Sequence, residues 1–265
     1  MPSTKKQHDL RLRVFAGPNG SGKSTIINSV RDYQVEGHSI DFGIYVNADD
    51  IADALRRNKF AFGHYKVKVK PAEFKNTALQ SGLVNEEFTA AQFRACFRCQ
   101  QNRVWLLRKR EDERLAQIIA DFLRKKLLAE KKKFSFETVF SHKGKLDIMR
   151  QAEAAGYKVY LYFVSTESPE FNKARVALRK AKGGHDVPPA KIESRYYRSL
   201  NLLYDAAQLC YQAFFFDNTG TKPELFAHFK KHSGKKEWDD IERGKVPDWF
   251  IKYYSNRLVK INELL

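Results

Sequence analysis

The string Gly17-Pro18-Asn19-Gly20-Ser21-Gly22-Lys23-Ser24 constrains this chain more than any other feature. It is a complete G-x-x-x-x-G-K-S, preceded by the alternating and then apolar run LRLRVFA (Leu10–Ala16) and followed by a helical pattern over Lys23–Val30. Strand, glycine-rich turn and helix are the context in which this motif has meaning. Small residues let successive backbone N–H groups converge into a nest at the positive end of the helix, and such a nest holds phosphate oxygens. Lys23 would then reach the β- and γ-phosphates of a nucleotide, and the Ser24 hydroxyl would hold Mg²⁺, with Thr25 beside it. ATP and Mg²⁺ are the cofactors this predicts, on the loop from Gly17 to Thr25.

Past the loop, Ile44–Asn47 reads as a second short strand and Asp49–Arg57 as a helix. Phe134–Val139 and Lys158–Ser165 read as strands, Lys145–Ala155 and Pro169–Ala181 as helices, Ala190–Tyr211 as a long helix, and Ala213–Asn218 as a last buried strand. This alternation predicts an α/β fold, a parallel sheet with helices on both faces. Residues 1–58 and 134–232 form the expected core, 59–133 a helical basic insertion, and 233–265 a helical tail packing on the core. Within the insertion, KVKVK (Lys66–Lys70) suggests a short edge strand, and Thr89–Lys132 reads as strongly helical. Phe93, Phe97 and Trp105 would then lie on one helical stripe, and Cys96 and Cys99 would be ordinary cysteines on a helix rather than half of a zinc site.

Of 265 residues, 43% are hydrophobic, enough for a real core, and Lys plus Arg exceed Asp plus Glu by 48 to 31. The surplus of +17 implies an anionic partner. No apolar stretch approaches the ~20 residues a bilayer crossing needs. MPSTKKQHDL lacks the apolar centre of a secretion signal, and three cysteines are too few for a disulfide framework. The expectation is a soluble cytoplasmic protein without membrane contact.

A phosphate loop gives nucleotide binding, not the reaction. No LSGGQ-like signature or strand ending in Asp-Glu accompanies it, as a transporter-type ATPase would need, and no NKxD-type base motif of a switch GTPase is present. Small P-loop kinases remain, with an acid at the end of the second strand. Tyr45-Val46-Asn47-Ala48-Asp49-Asp50-Ile51 supplies one. A carboxylate at a strand's C-terminal end faces the crevice where open α/β sheets bind ligands, so Asp49 could take the proton of an acceptor hydroxyl. Asp50 is its rival, and helix capping is the alternative for both.

Asn47–Ile51, Phe136-Glu137-Thr138, Ala154–Val159, Gly183-Gly184-His185-Asp186-Val187-Pro188 with the downstream RYYRSL, and Asp217-Asn218 stand in the order seen in zeta-toxin-like kinases, which the chain resembles from Arg13 to Thr219. The resemblance implies a P-loop kinase-like fold and an ATP-dependent phosphotransferase. It implies as acceptor the 3′-hydroxyl of UDP-N-acetylglucosamine or a similar nucleotide sugar. Many such kinases are the toxins of toxin–antitoxin pairs, so an antitoxin protein is an implied partner. Carried over, the base falls on Asp49, a substrate-contacting carboxylate on Glu137, and phosphate-binding arginines on Arg175 and Arg179. These arginines are four apart on one helix face, before a Gly-Gly lid, where they could clamp the transferred phosphoryl or simply be solvated. Two departures stand out: Val139–Lys143 replaces a small or hydroxyl residue followed by arginine, and His185 falls where a second arginine is used. Arg195 and Arg198, one helical turn apart, could compensate. Glu137 could otherwise be an edge-strand surface residue, His185 a turn former, and Asn218 with Thr219 either an adenine-contacting loop or a simple turn. The alternative function is a nucleic-acid-binding P-loop ATPase or RNA-end kinase using the basic insertion, where 18 basic residues face 8 acidic ones between Lys59 and Lys133.

Overall fold

The apolar run before the glycine loop folds into β1 (Arg11–Ala16), and the loop opens directly into α1 (Lys23–Asp32). The computed structural model describes residues 10–183, 186–240 and 245–262. After a minor hairpin, β2 (Gln34–Val35) and β3 (His38–Ser39), come β4 (Ile44–Val46) and α2 (Ala48–Arg56). Then follow α3 (Pro71–Leu79), α4 (Ala90–Ala95), β5 (Phe97–Gln100), β6 (Arg103–Leu106), α5 (Asp112–Ala129) and β7 (Phe134–Thr138). Strand and helix next alternate through α6 (Gly144–Ala154), β8 (Lys158–Ser165), α7 (Pro169–Ala181), α8 (Pro189–Asn201), α9 (Leu203–Gln208) and β9 (Gln212–Asp217). The chain closes with β10 (Glu224–His232), β11 (Lys235–Trp238), α10 (Asp248–Phe250), a π-helical turn (Ile251–Ser255) and α11 (Asn256–Asn262).

The chain divides into two units: Met1–Asp41 with Glu137–Leu265, and Phe42–Phe136. In the first, strands run in the order β11-β10-β9-β8-β1. β1 pairs parallel with β8 and β8 with β9, while β9–β10 and β10–β11 are antiparallel. The unit is therefore α/β with a mixed sheet, parallel through β1, β8 and β9 and antiparallel beyond. Along β8, Leu161 to Ser165 are buried without interruption, so both faces of this central strand are covered. The expected helix over Ala190–Tyr211 breaks in two at Leu202. The expected helical tail begins with β11, joined to β10 by a turn in which Ser233 (φ 48°) and Gly234 (φ 81°) are both left-handed, the geometry of a tight hairpin. Phe250 and Tyr254 pack within this unit against Phe215 and Trp238, and Trp249 packs against Phe163 and Phe226.

In the second unit β4 pairs parallel with β7. Its core is aromatic: Phe62, Phe74 and Phe122 meet at centroid distances of 5.2–5.6 Å, with Phe93 and Phe97 against Phe74. The expectation of helix across Thr89–Lys132 fails between Phe97 and Leu106, which form an antiparallel hairpin turning through Gln101 (φ 46°) and Asn102 (φ 61°). Trp105 therefore lies on a strand, not on a helical stripe with Phe93. KVKVK forms no ladder strand. Its alternation is nonetheless real: Val67 and Val69 are buried, and the Asn102 side chain stands in for a neighbouring strand. Its Oδ1 accepts from Val69 N at 2.9 Å and its Nδ2 donates to Val67 O at 2.9 Å. Cys96 and Cys99 are buried free thiols, Cys99 on β5, and burial pushes the Cys96 thiol up to about 12, with Glu111 adding to the effect. No described helix is long and apolar enough to cross a membrane.

Candidate functional site

The glycine-rich loop is held to its shape by neighbours that leave no room for side chains. A Cβ on Gly17 (φ 148°) would lie 2.0 Å from the Val164 carbonyl oxygen, and one on Gly22 (φ 93°) would lie 2.1 Å from Asn218 Nδ2. Gly22 is the left-handed N-cap of α1, where Thr25 N and Ile26 N donate to its carbonyl. Asn218, buried directly after β9, donates from Nδ2 to Ser21 O at 2.8 Å, and its own N–H donates to Ser165 O. The loop is thus pinned from the carboxyl ends of β8 and β9, where an open α/β sheet carries its ligand crevice.

Around the loop, Gly20, Lys23, Ser24, Glu137, Arg175 and Asn218 share one cavity of about 400 Å³, as do Thr25, Arg179 and the apolar Val176. Lys23 is buried, and its ammonium donates to Gly17 O and Pro18 O, both at 3.0 Å, with Glu137 Oε1 3.8 Å away. Arg175 donates from Nη2 to Gly220 O at 3.3 Å, tying α7 to the loop after β9. Its Nη1 is buried with no hydrogen-bond partner among the described residues, as is the Ser21 Oγ within the loop. Orphaned donors of this kind are rare in a folded protein, because an unmet buried polar group costs about 1–3 kcal/mol. Donors left open beside a glycine-rich nest fit an oxyanion. They suit a nucleotide's phosphate chain, with Ser24, exposed at the cavity, free to hold a cation bound to it. No group of three His, Cys, Asp or Glu capable of holding a metal occurs among the described residues. Mg²⁺ would not require one, since it is usually held by few protein groups together with substrate phosphates and water.

Two further contacts brace the loop. Arg195, on α8, donates to Asn19 Oδ1 at 3.3 Å, whereas Arg198 is exposed and donates to Ser194 O of its own helix. Asn172, fully buried on α7, accepts from Thr166 Oγ1 at 2.6 Å, and a Cβ on Gly20 would meet the Asn172 carbonyl at 2.6 Å. Asn172 carries no sequence signal, since a buried polar residue inside an amphipathic helix looks like a surface one, and Thr166 just past β8 reads as an ordinary loop residue. Asn218 has a structural role beyond the turn or adenine contact expected of it. Glu137 is not an edge-strand surface residue: its side chain is 18% exposed and faces Lys23.

Asp49 belongs to the second unit, at the second residue of α2, with an exposed side chain. The cap of that helix is Asn47, whose Oδ1 accepts from Asp49 N at 2.8 Å, so neither Asp49 nor Asp50 is the capping residue. The Asp49 carboxylate carries no capping duty. His185 lies outside the described residues.

No protein-family model and no curated protein matches the sequence. Among solved structures, the chain is similar to the AvrRxo1-ORF1:-ORF2 complex with ATP, at 15% identity over 89% of this chain and 62% of that one, with a TM-score of 0.49. It is also similar to a structure from the PezAT chromosomal toxin–antitoxin system of Streptococcus pneumoniae, at 9% identity over 97% and 85% of the two chains, with a TM-score of 0.47. The chain thus spans 62% of the first of these. Likenesses this distant decide nothing about what this chain does.

Proposed function

We propose that the protein is an ATP- and Mg²⁺-dependent phosphotransferase that moves the γ-phosphoryl of ATP to a hydroxyl of a small molecule. The observation that carries this reading is the convergence, in one cavity, of Lys23, Ser24 and Arg175, with its orphaned Nη1, on a glycine-rich helix start. Lys23 would exchange its bonds to the Gly17 and Pro18 carbonyls for phosphate oxygens, with Glu137 beside it to orient it until then. Arg175 and Arg179 face the terminal phosphates and offset the charge spread over the transferred group. Asp49 takes the proton of the acceptor hydroxyl as its oxygen bonds to phosphorus and the bond to the β–γ bridging oxygen breaks, leaving ADP. Ser24 is the residue that would hold Mg²⁺, which when bound supplies charge neutralisation on the phosphates.

The acceptor in this reading is a nucleotide sugar, UDP-N-acetylglucosamine or a close relative, with Glu137, Arg198 and His185 as its contacts, and a toxin's role restrained by an antitoxin protein is its biological form. Both rest on the sequence resemblance. Incubation with γ-labelled ATP and a panel of nucleotide sugars, with products read by mass, tests the assignment. A labelled sugar nucleotide that forms with the wild type and not with Asp49→Asn is the expected result. Full turnover by Asp49→Asn would remove the proposed base.

A further inference from the structure

Unit 2 carries a second cationic surface, built on different principles. On the hairpin β5–β6, Phe97, Cys99 and Val104 are buried, while Arg98, Gln100 and Arg103 are exposed and Trp105 is half-buried. Register sets Arg98 opposite Trp105 and Gln100 opposite Arg103. The two guanidinium groups lie 4.9 and 5.8 Å from the indole centroid. Just past β6, Leu107 is 62% exposed and Arg108, Lys109 and Arg110 are exposed as well. At the hairpin's other end, Gln101 and Asn102 share with Lys68, Lys70 and the ion-paired Lys126 and Glu73 the wall of a groove of about 530 Å³.

Residues 42–136 hold 20 Lys and Arg against 11 Asp and Glu, and several of those acids are already paired. Asp112 pairs with Arg56, Asp121 with Arg124 and Lys125, and Glu73 and Glu130 with Lys126. Lys68, Lys70, Arg98, Arg103, Arg108 and Arg110 make no ion pair with any described residue. The result is a track of unneutralised cations with two guanidinium groups close to one indole.

We propose that this face binds single-stranded nucleic acid, its phosphates along the cation track and a base stacked on Trp105. A charged track alone would attract any polyanion, but an aromatic ring flanked by guanidinium groups adds the sequence-tolerant stacking that unpaired bases offer and acidic peptides do not. A membrane surface is disfavoured, because only Trp105 and Leu107 on this face could enter an apolar phase.

The test is fluorescence anisotropy of labelled single-stranded RNA, and its DNA counterpart, titrated with the full chain over a salt series. Both should bind, with log K falling linearly against log salt. Arg98→Gln combined with Arg103→Gln should weaken binding about tenfold or more and flatten the slope by roughly 0.7 for each phosphate no longer neutralised. Trp105→Leu should weaken it about tenfold while leaving the slope unchanged. All three positions lie outside the phosphate-loop cavity, so each variant should keep the wild-type melting temperature and ATP binding, which separates this test from that of the kinase reading. Absence of binding at low salt overturns the proposal. So does affinity unaltered by these changes, or polyglutamate that displaces labelled RNA as well as unlabelled RNA does.

Discussion

The phosphate loop and the β5–β6 face are both cationic, yet they handle charge in opposite ways. At the loop, Lys23 is buried, bonded to two carbonyls, and surrounded by glycines that any side chain would push apart. On the hairpin, Arg98 and Arg103 stand in solvent with only an indole beside them. A desolvated cation in fixed geometry suits one short, highly charged group, since its interactions are strong and positional. Exposed cations spaced along a surface suit a long polyanion, since each contact is weak, screened by salt and replaceable. Net charge of +17 would be read the same way in both places; burial is what tells them apart.

Substitutions probe this contrast, in descending order of effect. Lys23→Ala should lower phosphoryl transfer by a factor of about 100 or more and weaken ATP binding, whereas losing any one exposed arginine of the hairpin should leave both unchanged. Asp49→Asn should lower turnover by about 10²–10⁴ with ATP affinity retained, measured by steady-state kinetics beside nucleotide titration. Asn102→Ala should cost unit 2 roughly 2–3 kcal/mol in urea unfolding, because two buried backbone groups at Val67 and Val69 lose their partner and the left-handed turn loses a residue that tolerates it. Asn218→Ala should weaken ATP binding by roughly tenfold with little change in overall stability, since it frees the Ser21 carbonyl that fixes the loop.

The smallest effect is a pH trend. Lys236 on β11 donates to Gln208 and Tyr254, and burial first, then Lys231, lowers its pKa from 10.5 to about 8. Between about 8 and 10.5 the unfolded chain keeps a proton that the folded chain has released, so stability rises with pH across that window. Relative to Lys236→Met, the wild type should gain urea resistance on moving from pH 7 to pH 10. A constant gap would mean that this lysine stays solvated.

The parts of the molecule governed by local pattern were legible in the sequence. β8 and α7 fall within a residue of their expected bounds, because a β-branched and aromatic run and a Pro-started amphipathic run each have one plausible period. The loop was legible because its glycines are sterically required. The β5–β6 hairpin was not, because its turn is made by Gln101 and Asn102 rather than by the glycine that usually marks left-handed backbone. The β10–β11 hairpin did carry a signal, Ser233-Gly234 between alternating segments, but basic residues on both flanks masked the alternation. Lys23, Glu137, Arg175 and Asn218, each singled out from the sequence, line one cavity. What Asn218 and Asn172 do was not legible, since each acts through a backbone group remote in sequence.

Equilibrium titration of the full chain with ATP in the presence of Mg²⁺, followed calorimetrically, is the decisive test of the cradle. One ATP per chain should bind, with Lys23→Ala and Arg175→Ala each weakening it and the Arg98→Gln, Arg103→Gln pair leaving it intact. Wild-type protein that takes up no ATP at millimolar concentration, or binds it equally well without Lys23, would show that the glycine loop is not a phosphate site.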